Sequence, residues 1–274
     1  MNSLIDILPL IAILLVAGSL SGLMAGLLGI GGGIVIVPIL EFSLSYFGID
    51  DTVRMHIAVA TSLAIIIPTS LSSARAHHRR GTVDVDIIKN WAPGIFIGAV
   101  LGSYLASKLN GTMLVIIFAC LAFLIALKML IPKNNKKQIE GGIPRGGFFH
   151  LVPFVMGALS SMMGIGGGVM GVSVMTLYKI SIHRAVSTAA FFGFLISIPG
   201  TVGFMITGLN VTGLPFGNVG YVSFIGFFII APAAYLMAPV GAKLAHQLNP
   251  EQLTFMFGLF LLFVSSQMIY RYVF

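Results

Sequence analysis

From residue 185 to residue 242 the chain carries no Asp, Glu, Lys or Arg. Comparable charge-free runs cover residues 7–40, 90–107, 109–127, 146–178 and 252–270. A soluble domain needs about a quarter of its residues charged, whereas only 8% are charged here and 57% are hydrophobic. Such a chain must use lipid as its solvent. A membrane-spanning helix takes about 20 mainly apolar residues, so several of these runs hold one helix and the longest hold two. They lack the polar–apolar alternation of barrel strands. The predicted class is therefore an all-α polytopic membrane protein with the bilayer as partner.

The runs divide into segments at 4–28, 31–47, 55–75, 87–108, 112–131, 148–164, 166–179, 184–207, 219–245 and 252–272. That predicts eight to ten segments, some of them half-helices or re-entrant. The formal net charge of +7 reflects Lys and Arg gathered between segments, the pattern of cytoplasmic loops rather than of nucleic-acid binding. Cys120 lies inside a segment and is expected to be inert packing. The first residues lack a basic region and carry Asp6, so they read as a first membrane helix rather than a cleaved leader.

The two sides of the polar stretch "PKNNKKQIEGGIPRGG" match. "GIGGGIVIVPIL" at 29–40 recurs as "GIGGGVMGVSVM" at 164–175, and "HIAVATS" at 56–62 as "HRAVSTA" at 183–189. "LASKLN" at 105–110 recurs as "LAHQLN" at 244–249. The expected organisation is a first repeat at 1–131, a cytoplasmic linker at 132–147 and a second repeat at 148–274. Loop charge then orients the repeats. The Arg75–Lys89 loop is basic while its counterpart, "TGLNVTGLPFGN", has no basic residue. Conversely, "LYKISIHR" is basic where the first repeat has "FGIDDTVR". The positive-inside rule puts the Arg75–Lys89 loop and the linker in the cytoplasm and both termini outside. Equivalent loops then face opposite sides, an inverted-topology repeat and a frequent architecture of secondary transporters.

Three explanations compete for Gly29, Gly31, Gly32 and Gly33 and their copies Gly164, Gly166, Gly167 and Gly168. A nucleotide fingerprint fails on spacing and strand context. Close helix packing accounts for Gly18, Gly22 and Gly26, and for Gly94, Gly98 and Gly102, but needs no adjacent glycines. The third is a helix break inside the membrane. The following helix would then start with unpaired amides and about half a positive charge, a ready anion site. Thr61 and Ser62, matched by Ser187 and Thr188, supply hydroxyls that either bind an anion or bond back to their own helix. His56, His183 and Arg184 fall near segment ends, where they either attract anions or mark the interface. Glu41 is the carboxylate furthest inside a segment and a candidate for proton coupling, unless its short segment lets it reach the interface. No Ser-His-Asp set, paired carboxylates or metal-ligand pattern is present, so neither an enzyme nor a metal site is expected.

The doubled block "GLLGIGGGIVIVPIL … AVATSL" and "GIGGGVMGVSVM … AVSTAA" resembles the TauE/SafE sulfite-exporter superfamily over nearly the whole chain. The resemblance implies an inner-membrane permease for sulfite, sulfonates or other small sulfur-containing anions, with no prosthetic group. It places the substrate at the glycine blocks and at Ala58–Ser62 with Ala185–Ala189. Ser173 stands where the first repeat has Pro38, and Ala189 where it has Ser62, so the two half-sites are unequal. The expected function is a secondary anion carrier working by alternating access, with a proton or sodium as possible coupling ion. A passive small-anion channel is the alternative.

Overall fold

The computed structural model describes residues 4–29, 31–78, 82–131, 150–244 and 250–273. The linker, Arg79, Arg80 and most of "LAHQLN" lie outside them. Among the described residues there are ten helices: α1 (Leu4–Leu28), α2 (Gly33–Tyr46), α3 (Asp51–His78), α4 (Val85–Lys108), α5 (Gly111–Leu130), α6 (Leu151–Met163), α7 (Gly168–Leu177), α8 (Ile182–Gly208), α9 (Phe224–Leu244) and α10 (Pro250–Val273). A two-residue hairpin, β1 (Asn218–Val219) and β2 (Val222–Ser223), leads into α9. Seven helices are long and apolar enough to cross a membrane, which makes this a multi-pass integral membrane protein. At 1.5 Å per residue, α2 and α7 reach only about 21 and 15 Å, short of the roughly 30 Å hydrocarbon layer.

Side-chain caps start several helices where the sequence turns polar. Asp84 accepts from the Ile87 amide at 3.2 Å, and Asn110 accepts from Met113 at 2.7 Å. Asp50 accepts from the hydroxyl and the amide of Thr52 at 2.6 and 2.8 Å before α3. Those two bonds hold its carboxyl below the ordinary carboxylate range.

The repeats interlock. A Cβ built on Gly18, Gly22 or Gly26 of α1 would lie 2.7, 2.1 and 2.0 Å from the carbonyl oxygens of Ile230, Ala234 and Ala238 of α9. The partners advance together, so the two helices run parallel with their backbones in contact. Gly98 and Gly102 of α4 meet the carbonyls of Phe154 and Ala158 of α6 at 2.0 and 2.2 Å in the same way. Each repeat's first helix thus lies along the other's fourth, and the glycine stripes are what let the backbones approach.

At the centre, α3 and α8 run antiparallel, with Leu63 against Gly200 and Ser70 against Gly193. Trp91 of α4 stacks on Phe192 of α8 with ring centres 5.5 Å apart, and both side chains are fully buried. Equivalent helices pointing in opposite directions are the arrangement that the loop charges predict.

Candidate anion site at the paired helix breaks

Both glycine blocks break a helix by turning left-handed. Gly29, Gly31 and Gly32 have φ of 66°, 75° and 75°, and Gly164 and Gly167 have 68° and 67°. Only glycine adopts these angles at little cost. The turn ends α1 at Leu28, and the chain doubles back until the Ser21 hydroxyl reaches the Gly32 carbonyl at 3.1 Å. α2 then starts beside Ser62 and Ile66, halfway along α3, and Gly167, the residue before α7, packs on Ile196, halfway along α8.

The two breaks meet. A Cβ on Gly31 would sit 3.2 Å from the Gly166 Cα, and one on Gly33 only 2.1 Å from the Gly164 carbonyl oxygen. Ser62 fastens the junction by donating to that carbonyl at 2.8 Å. Neither Gly32 nor Gly167 offers a side-chain cap. In α7 the first helical bond is from the Gly171 amide to the Gly167 carbonyl, so the amides of the preceding turn have no acceptor within the helix. Two half-helix amino termini therefore converge on one buried place, each carrying about half a positive charge.

Among the described residues the buried acidic and basic side chains are Glu41, Arg54, His56 and His77. Glu41 lies about 12 Å along α2 from Gly33 and is not alone. Its Oε1 accepts from Arg54 Nε at 2.9 Å and from the Tyr272 hydroxyl at 2.5 Å, while Oε2 has no partner. Arg54 also reaches the Ile49 carbonyl and Asp51. His56 is 2% exposed, places Nε2 3.1 Å from the Ala106 carbonyl and stacks on Tyr221. His77 places Nε2 3.1 Å from the Gly26 carbonyl. The contacts of Glu41, Arg54 and His56 all lie away from the glycine breaks. His183 and Arg184 are exposed, and Arg184 pairs with Asp84 at 2.6 Å.

The hydroxyls of the second matched block are largely occupied. Ser62 has committed its proton to Gly164. Thr61 accepts from the Ser223 amide at 2.9 Å, and its counterpart Thr188 accepts from the Asp84 amide at 3.0 Å. Ser223 and Asp84 each precede a fourth helix and cap it, Ser223 through the Gly226 amide and Asp84 through Ile87. The inverted repeat has thus built one latch twice, in the amino-terminal halves of the antiparallel α3 and α8. Ser187 strengthens the second copy through Thr82 at 2.6 Å. Thr61→Val and Thr188→Val should each cost about 1 kcal/mol in urea unfolding of the purified protein, and by similar amounts; a loss at one site alone would break the equivalence.

Sequence reading passed over Arg54, Tyr272, Thr82 and Ser223. Asp84 and Ser223 carried a signal, since each is a capping residue directly before an apolar run.

A family model described as "Sulfite exporter TauE/SafE" matches residues 14–268. A probable membrane transporter protein of Haemophilus influenzae is 30% identical, covering 95% of this chain and 98% of the relative. The probable membrane transporter protein YunE of Bacillus subtilis is 29% identical, covering 96% and 98%. One from Methanocaldococcus jannaschii is 29% identical over 92% of each. No solved structure matches significantly. The span arrangement, the doubled glycine break and these similarities agree: the chain belongs to the TauE/SafE sulfite exporter family of membrane transporters.

Proposed function

We propose that the protein is a secondary carrier of a small sulfur-containing anion such as sulfite or a sulfonate, held at the paired helix breaks. The observation that carries this reading is the meeting of the two glycine breaks in the middle of the bundle, Gly31 against Gly166 and Gly33 against the Gly164 carbonyl, beside the uncapped starts of α2 and α7. Unpaired amides and aligned dipoles favour an anion there without any cationic side chain. Lipid-depth backbone that is not helical is tolerated where it lines a cavity or is buried in protein.

The mechanism is alternating access. The repeats at 1–131 and 148–274 rock about the central site, and the two latches part in turn. Breaking Thr188–Asp84, Ser187–Thr82 and Arg184–Asp84 opens one end; breaking Thr61–Ser223 opens the other. In this scheme the protein lies in the inner membrane with the Arg75–Lys89 loop and the linker cytoplasmic, and the net direction is export. A proton or sodium gradient drives the cycle.

Counterflow in proteoliposomes is the test. Preloading with unlabelled sulfite or methanesulfonate should accelerate and transiently concentrate the labelled anion, and the rate should saturate. Flux that rises linearly with concentration and shows no exchange is the behaviour of a passive channel and would replace the carrier.

A further inference from the structure

One wall of the break holds hydroxyls that the protein does not use. Ser160 and Ser161 form the last turn of α6 and are 1% and 0% exposed. Their carbonyls accept from the amides of Ile165 and Gly164, yet neither hydroxyl has a partner. A helical serine commonly returns its proton to the carbonyl three or four residues back, as Ser43 and Ser265 do here. Ser160 and Ser161 do not.

The Ser160 hydroxyl faces the second break, and the Ser161 hydroxyl faces α8 at Gly200, one turn beyond the Ile196 that packs on Gly167. Ser160 Oγ lies 3.5 Å from where a Cβ on Gly167 would stand, and Gly167 is the residue that leaves α7 without a side-chain cap. Ser161 Oγ lies 2.8 Å from the corresponding point on Gly200. Thr201, the next residue along α8, is 4% exposed and also has an unpartnered hydroxyl. In the first repeat the aligned positions are Ala25 and Gly26, which have no hydroxyl, and Ser62 has spent its own on Gly164. The two half-sites are therefore chemically unequal, with the free donors all on the second.

Resting on the anion-carrier reading above, we propose that Ser160 and Ser161 are the side-chain ligands of the transported anion, donating to its oxygens while the first amides of α7 hold it. The charge of that anion follows from the same inventory. Two half-helix termini offer about one positive charge in total, and the Glu41–Arg54 pair and His56 make their contacts away from the breaks. The site balances a monovalent oxyanion, such as a sulfonate or hydrogen sulfite. A sulfate dianion would leave one negative charge uncompensated in a buried site.

Calorimetric titration of the purified full-length protein with methanesulfonate and with sulfate tests both parts. The wild type should bind methanesulfonate at least about tenfold more tightly than sulfate. Ser160→Ala and Ser161→Ala should each weaken methanesulfonate about tenfold, the worth of one hydrogen bond to a charged group. Neither should lower the unfolding midpoint without ligand, because each removes a buried hydroxyl that has no partner. Wild-type affinity in both variants overturns the serine assignment and leaves the helix-start site standing. Equal affinity for sulfate overturns the monoanion selectivity. A wild type that binds none of the anions overturns this proposal and the carrier reading together.

Discussion

Glu41→Ala should destabilise the protein by about 3–5 kcal/mol, the cost of leaving a buried charge without its partner. Glu41 is wholly buried and Arg54 is 4% exposed. The Ile49 carbonyl, the Tyr272 hydroxyl and the exposed Asp51 remain near the guanidinium, but none of them replaces a buried carboxylate. Arg54→Ala should cost a similar amount for the mirror reason. The double variant Glu41→Leu/Arg54→Met removes both charges and should recover most of the loss. Denaturant unfolding in detergent measures all four proteins, and two single variants within 1 kcal/mol of wild type would reduce the pair to a surface-like contact.

This pair ties α2, the half-helix of the first repeat, to α10 of the second through Tyr272. That arrangement supports a lock between repeats. The unpartnered Oε2 is the atom a coupling proton would take, so Glu41→Gln separates the two roles. A lock alone leaves pH-driven flux intact, whereas a proton relay loses it.

Gly33→Ala is the second large effect. Gly33 lies outside the left-handed set of angles, so the substitution tests space rather than backbone strain. Its methyl would stand 2.1 Å from the Gly164 carbonyl oxygen and 2.8 Å from Ser62 Oγ. The breaks must separate, at an overpacking cost of about 1–3 kcal/mol. They lose the Ser62 bond as they do, so transport should fall below detection in counterflow while the protein still purifies folded. Full transport by this variant would mean that the close approach of the breaks has no part in the cycle.

Much of this was legible in the residues. The ten predicted segments fall within a few residues of the helices, because charge-free runs and flanking polar residues mark where the chain enters and leaves apolar surroundings, whether lipid or protein. The Gly18, Gly22, Gly26 stripe and the Gly94, Gly98, Gly102 stripe also said what they would do, since a four-residue spacing places them on one helix face. The meeting of Gly31 with Gly166 could be anticipated only because the block occurs twice in oppositely directed repeats.

Other features were out of reach for physical reasons. Arg54 sits in an apparent loop, "FGIDDTVR", and only the fold of α2 back onto α3 brings it to Glu41. Thr61 and Thr188 read as hydroxyls that either bind an anion or bond back to their own helix, because their acceptor roles depend on backbone amides more than a hundred residues away. Sequence gives no view of backbone amides across that distance. The unused hydroxyls of Ser160 and Ser161 were hidden too, since partnership is visible only once every neighbour is placed.

The central claim is a location, and a heavy-atom anion can report it. Crystals grown with bromomethanesulfonate should give an anomalous peak between Gly31–Gly33 and Gly166–Gly168, within reach of Ser160 and Ser161. A peak beside Arg184 or His56, with nothing at the breaks, would contradict the account.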